Sequence, residues 1–240
     1  MKKLTLSLFT VSVIIFSCRK ESTYQLNLNI ASAISCVSQT ADPSLRSYPC
    51  DSLIPNFFPV NHCGFLPLSL NNFWVYEDSF FNNGTFLRVQ IDTLQFIRTN
   101  QTTTDKLIWW DSNIDIGIPI RLYSNEIGIY NLEKRLFTSC TWEANKEFVT
   151  PAGDSAKYLT RFEDIAAQGR SLKLNEIIST PAGDFGSCIY FEKYARNFRK
   201  DQVFIKPGIG VVKYIREVAP MGHPDLKLQQ ISTLREFYLE

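Results

Sequence analysis

Phe73-Trp74-Val75-Tyr76-Glu77-Asp78-Ser79-Phe80-Phe81 runs into Asn82-Asn83-Gly84 and emerges as Thr85-Phe86-Leu87-Arg88-Val89-Gln90-Ile91-Asp92. The first limb is aromatic-rich. The second alternates Leu87, Val89 and Ile91 with Arg88, Gln90 and Asp92, and the residues between tolerate positive φ, so the stretch predicts a β-hairpin. The same reading extends in both directions. Tyr24, Leu26, Leu28 and Ile30 alternate with Gln25, Asn27 and Asn29, the period of a half-buried strand. Further strands are expected at 106–110, 118–123, 126–132, 136–142, 171–174, 188–194, 202–206, 210–218 and 226–239. Lys206-Pro207-Gly208-Ile209 puts Pro and Gly at the centre of a type II turn, so 203–206 should pair antiparallel with 209–214.

Tyr158–Gln168 is the one segment with helical character, and Gly169 would stop it. Consecutive strands joined by tight turns predict a mainly β fold, an antiparallel meander forming a sandwich, half-barrel or barrel with at most one or two short helices. Thr150-Pro151-Ala152-Gly153-Asp154 recurs as Thr180-Pro181-Ala182-Gly183-Asp184. Two copies do not make a solenoid, and the expectation is one turn chemistry used twice.

Composition narrows the function. Apolar residues are 45% and charged residues 20% of the 240, and the formal charge is +1. Such a chain can bury a core and lacks the basic excess of a nucleic-acid binder. Near the start, Lys2 and Lys3 precede the apolar run Leu4–Phe16, too short to cross about 30 Å of hydrocarbon. The run ends at Ile15-Phe16-Ser17-Cys18 followed by Arg19-Lys20.

That junction resembles a bacterial lipobox. The resemblance implies that residues 1–17 are a lipoprotein signal peptide, that Cys18 is acylated, and that the bilayer is a partner through that residue. Three chains on one cysteine would hold the protein to a membrane without spanning it. Removing residues 1–17 leaves 23 basic against 24 acidic residues, so lipid headgroup attraction is not needed. Residues 18–65 then form a lipidated tether and Cys/Pro-rich loop region, and 66–240 the antiparallel β domain.

Beyond Cys18, an exported chain carries Cys36, Cys50, Cys63, Cys140 and Cys188, an odd number that leaves at least one free. Cys36, Cys50 and Cys63 lie in a proline-rich segment without periodicity, where one disulfide among the three is expected to staple the loop. Zinc is excluded on spacing: Cys36, Cys50, His62 and Cys63 contain no C-x₂₋₄-C pair. No metal site and no cofactor are expected.

Leu66-Pro67-Leu68, Asn71-Asn72-Phe73-Trp74-Val75-Tyr76, Thr180–Cys188 and Pro207-Gly208-Ile209-Gly210-Val211-Val212-Lys213 together resemble a pattern of uncharacterised β-rich lipoproteins of Gram-negative bacteria. Those chains have a P-L-x-x-G-x-x-W-x-Y opening strand, a P-A-G-x-F-x-x-C turn and a G-x-G-x-V-K hairpin. Here Asn71 or Asn72 stands where Gly is common. The resemblance spans roughly residues 66–218 and implies fold and an outer-membrane envelope location, with no activity attached.

Catalytic signals are sparse. His62 and His223 are the two histidines, and neither sits near a nucleophile motif. Gly153-Asp154-Ser155 lacks the nucleophile-elbow pattern, and Gly208-x-Gly210 lacks a third glycine. Asp111-Ser112-Asn113-Ile114-Asp115 begins like a calcium loop, but Ile116 and Leu122 occupy the Gly and Glu positions. Trp109 and Trp110 must face opposite sides of a strand, so one enters the core and the other meets a second layer, a partner or a stacked ligand such as a glycan. A concave lipid-binding face would call on Phe86, Phe96 and Phe191. Ser52, Thr93 and Ser155 each follow Asp and precede an apolar residue, as O-glycosylation acceptors of exported proteins do. The reading is a membrane-anchored envelope lipoprotein acting as a structural or binding component, with an envelope protein or glycan as partner. The alternatives are a glycan or small hydrophobic ligand binder accessory to an outer-membrane transporter, and a hydrolase with an unrecognised site.

Overall fold

The computed structural model describes residues 40–56, 65–136 and 139–240. The signal segment, Cys18, the strand expected at 24–30, Cys36, His62 and Cys63 lie outside them. The chain is built from strands: β1 (Ser47–Pro49), β2 (Leu53–Asn56), β3 (Phe73–Asn82), β4 (Thr85–Thr102), β5 (Ile108–Ser112), β6 (Arg121–Ser124), β7 (Gly128–Leu136), β8 (Cys140–Val149), β9 (Ser155–Phe162), β10 (Ile165–Lys173), β11 (Ile178–Thr180), β12 (Gly183–Phe185), β13 (Ile189–Ala195), β14 (Arg199–Lys206), β15 (Gly210–Val218) and β16 (Lys227–Tyr238). A single 3-10 turn at Cys50–Ser52 is the one helical element among the described residues.

Fourteen strands make one antiparallel sheet in the order β1-β8-β7-β6-β5-β4-β3-β16-β15-β14-β13-β10-β9, with β2 added to β4 and β11-β12 a separate hairpin. β1 and β9 do not pair, so the sheet is not closed into a barrel. It curls back instead. β4, 18 residues long, pairs with β3 through its first part and with β5 and β2 through its last. Its bulge between Phe96 and Arg98 marks the change of direction. The two halves meet across a core in which Phe148 of β8 lies 5.0 Å from Phe191 of β13, and Trp74, Phe96 and Trp110 pack edge to face.

The hairpin expected around Asn82-Asn83-Gly84 is β3-β4, with Asn83 at φ 50 and Gly84 at φ 85 in its turn. The Pro207-Gly208 turn joins β14 to β15, with Ile209 N–H donating to Lys206 O at 3.0 Å.

Three expectations fail for identifiable reasons. Tyr158–Gln168 is not a helix: β9 and β10 form a hairpin around Glu163 at φ 49, and Ala167, Gly169 and Ser171 are buried alternately with Ala166, Gln168 and Arg170 exposed. Gly169 leaves room for the Tyr158 ring, which approaches to 2.1 Å of where a Cβ would stand. The strand expected at 136–142 is divided between two: Leu136 ends β7 and Cys140 opens β8, and the two residues are paired. The two Thr-Pro-Ala-Gly-Asp copies differ as well. The second is the β11-β12 turn, with Gly183 at φ 130, whereas the first links β8 to β9 and anchors Thr150 Oγ1 to Glu126 O.

The segment read as a Cys/Pro-rich loop supplies β1 and β2. Residues 41–53 lie over the outer face of β5–β8, where Tyr48, Trp109, Tyr123, Tyr130, Leu132 and Ala144 form a second apolar layer. Ala41 O accepts hydrogen bonds from Tyr123 Oη and Asn125 Nδ2 at 3.1 and 2.8 Å. Tyr48 Oη and Arg46 both donate to Asp105. Cys50 is bonded to Cys140, 90 residues on. Cys50 is therefore unavailable to Cys36 or Cys63, and the expected loop staple involving it is replaced by a link between the overlying segment and β8. Cys188 is free and buried. Cys140→Ser should lower unfolding stability by about 2–4 kcal/mol, because a long loop is no longer constrained in the unfolded chain. Urea titration with and without reductant measures it, and equal midpoints would contradict the pairing.

Candidate functional site

One end of the space between the halves opens as a cleft of about 560 Å³, within the size range of small-ligand sites, about 300–1,000 Å³. β5–β8 contribute Asp111, Arg121, Glu133, Trp142 and Glu147, and β9, β13 and β14 contribute Arg161, Phe162, Lys193, Arg199 and Asp201. Alternation along β13 and β14 places Lys193 and Asp201. On β13 and β14 the charged Lys193 and Asp201 share the core-facing register with Phe191 and Val203, so where the core ends the same face continues in ionic residues.

Most of this charge is internally matched. Asp111 takes Arg121 at 2.5 Å and also bonds Arg98. Asp201 takes a two-pronged contact from Arg199 at 2.8 and 2.6 Å. Arg161 reaches both Glu133 and Glu143 at 3.2 Å. Arg216 reaches Asp115 at 2.8 Å. Lys193 and Glu147 form a pair with side chains only 9% and 7% exposed. Burial pushes the Glu147 carboxyl up, and the Lys193 ammonium offsets part of that effect. For Asp111, burial works against ionisation, but the Arg121 and Arg98 hydrogen bonds outweigh it and hold the carboxyl below its usual range.

Aromatic rings line the cations. The Arg121 guanidinium sits 4.4 Å from the half-buried Trp142 ring, and Lys193 lies 4.3 Å from Phe162. The result is a cleft with many fixed donors and acceptors and little uncompensated charge. It suits a hydroxyl-rich or zwitterionic ligand better than a strongly charged one.

The residues singled out in the sequence are dispersed. Trp110 is in the main core and Trp109 in the outer layer, 5.6 Å from Tyr123, and both are fully buried. Neither can stack on a ligand, because residues 41–53 supply the second layer that Trp109 needed. Phe96 and Phe191 are core residues while Phe86 is 56% exposed, so no greasy concave face unites the three. Thr93 and Ser155 are exposed, but Ser52 is buried and donates to Pro49 O, out of reach of a glycosyltransferase. Asp111 and Asp115 are spent on arginines, and no group of three metal-ligating side chains occurs among the described residues. His223 is exposed in a turn. Burial pushes the Cys188 thiol up, with the Lys206 charge opposing, which keeps it poorly nucleophilic. Glu147, Lys193 and Arg199 carry no linear motif; only the fold brings them together around Phe162.

A second polar cluster lies on the inner face of β3, β4 and β16. Asp78, 2% exposed, stands beside Asp92, Ser232 and Gln230, and its Oδ1 has no hydrogen-bond partner. Burial, reinforced by Asp92, raises the Asp78 pKa to about 6 against the opposing hydrogen bonds of Ser232 and Gln230.

The two clusters should respond differently to substitution. Lys193→Met should cost about 3–5 kcal/mol by stranding Glu147, and Glu147→Gln/Lys193→Met should recover most of it, as read by urea unfolding. Asp78 binds its proton more tightly folded than unfolded, so its contribution favours the folded state at low pH and is lost as pH rises from about 4 through about 6. In dilute solution Asp78→Asn should match the parent at pH 4 and exceed it by about 2–3 kcal/mol at pH 7.5. Parallel pH profiles of the two proteins would refute this.

No protein-family model matches the chain, and no curated protein is detectably similar to it. Among solved structures it is similar to a protein of Parabacteroides distasonis ATCC 8503 provisionally described as a lipoprotein, at 14% identity and a TM-score of 0.36, over 73% of this chain and 99% of that one. A likeness this distant carries no argument about the present chain.

Proposed function

We propose that this chain is an outer-membrane lipoprotein of a Gram-negative envelope, tethered through acylated Cys18, whose β body binds an envelope component at the charged cleft. The observation that carries the reading is the short apolar run Leu4–Phe16 ending at Cys18 behind two lysines. Among the described residues no helix is long and apolar enough to cross a membrane. The cleft supports binding rather than hydrolysis as the role of the body, because Asp111, Asp115, Glu133, Glu147 and Asp201 are each held by Arg or Lys. Carboxylates committed to ion pairs are poorly placed to trade protons with a substrate.

The half-buried Trp142 with its surrounding donors favours a glycan among the candidate ligands, since sugars present both apolar ring faces and hydroxyls. Metabolic labelling with an alkyne fatty acid in the native host tests the tether. Label should enter the protein, and Cys18→Ala should abolish it and release the protein from the membrane pellet. Unlabelled parent protein, or undiminished label in Cys18→Ala, would overturn the reading.

A further inference from the structure

The first part of β4 is an edge. β5 pairs with β4 only from Phe96 onward, and its continuation ends at Asn113, which donates its side-chain amide to Thr93 O and accepts from Gln95 N, both at 2.8 Å. Thr93 and Gln95 thus turn their backbone groups away from β3. By the two-residue alternation of a strand, Ile91 and Val89 do the same. No strand among the described residues meets them. The bulge opposite Phe80 and Phe81 falls at Leu87 and bends the hairpin tip away beyond that point.

Other exposed edges carry the usual protection: β1 is three residues long and ends in Pro49, β2 contains Pro55, and β9 is flanked by β8, with Thr160 Oγ1 donating to Lys146 O. Between the Leu87 bulge and Thr93 the β4 edge has neither a proline nor a covering strand among the described residues. Its Leu87, Val89 and Ile91 are 60%, 49% and 49% exposed.

The charge pattern indicates what pairs there. Asp78 and Asp92 lie together on the inner face with no basic partner among the described residues, and Asp78 is buried with an oxygen unsatisfied. Arg88 is on the same face and forms no ion pair among them, resting 5.2 Å from the Phe80 ring. In an antiparallel pairing of β4 with itself, with the twofold axis at Gln90, Arg88 stands directly opposite the partner's Asp92. Val89 stands opposite the partner's Ile91. The same register satisfies the free N–H and C=O groups of Val89 and Ile91 on both copies by four backbone hydrogen bonds, and supplies each acid pair with the cation it lacks.

We propose that a second copy of this chain docks on the β4 edge, forming a twofold-symmetric dimer by strand pairing centred on Gln90. The inference is independent of the tether and of the cleft. Cross-strand Cα atoms at such a non-hydrogen-bonded position lie about 4.5 Å apart, within disulfide reach. Full-length Gln90→Cys, purified and mildly oxidised, should therefore run as a covalent dimer on non-reducing gels, while Ser155→Cys on β9 should not.

In the Gln90→Cys background, Arg88→Asp faces acid with acid and should cut the dimer yield about tenfold, equivalent to about 1.4 kcal/mol. Adding Asp92→Arg should restore it, because the swapped charges complement one another again. Restoration also shows that the single variant had folded. A monomeric Gln90→Cys protein, indifference to Arg88→Asp, or failure of the double swap would each overturn the proposal. So would a covalent product between the Gln90→Cys thiol and a different protein in whole-envelope oxidation without the homodimer.

Discussion

The fold depends on the length of one strand. β4 is 18 residues long and changes partners along its course, so a single piece of backbone belongs to both facing halves of the sheet. A shorter strand would leave two sheets joined only by a loop. Because β4 is continuous, its bulge near Phe96 sets how the halves face each other and therefore where the core ends and the cleft begins. Trp74, Phe96 and Trp110 pack at this bend, and the ionic residues of the cleft start where such large side chains run out.

That arrangement explains why charge lies inside the mouth of an apolar structure. The inner registers of β8, β13 and β14 extend beyond the aromatic core, and residues there must be either covered or hydrated. The chain places Glu147 with Lys193 and Asp201 with Arg199, and rings such as Phe162 shield the cations. Pairing keeps each charge tolerable at partial burial and leaves their unused donors and acceptors facing the cleft. The same matching that stabilises the mouth limits what it can recognise, since an ion of either sign would have to displace a partner already in place.

Much of the fold is legible in the residues. The Asn-Asn-Gly turn, the alternation of Leu87, Val89 and Ile91, and the Pro207-Gly208 turn are local signals that depend on φ preferences and pleat, and they appear where expected. Tyr158–Gln168 misleads because its Ala-Ala pair suggests a helix while the alternation of Ala167, Gly169 and Ser171 faces the core. Cys50 pairing with Cys140 is a contact across 90 residues and leaves no trace in the spacing of nearby cysteines. The cleft is invisible for the same reason: Glu147, Lys193 and Arg199, gathered with Phe162, are neighbours only after the sheet has curled. Trp109 and Trp110 do take opposite faces, as strand alternation requires, but what covers the outer one is decided by residues 41–53, far away in the chain.

The position of the disulfide has a mechanical consequence. Residues 41–49 precede Cys50, so a pull on the N-terminal side of the described chain detaches them, with their bonds to Ala144, Tyr123 and Asn125, before the load reaches a covalent bond. From there the force passes sideways into β8, a ten-residue strand held along its length by β7. Peeling, which breaks ladder bonds one at a time, gives way to shear, which must break many together. What the bond protects is the part after Cys50: Leu53 and the rest of β2 stay seated on β4 under tension that strips residues 41–49 away.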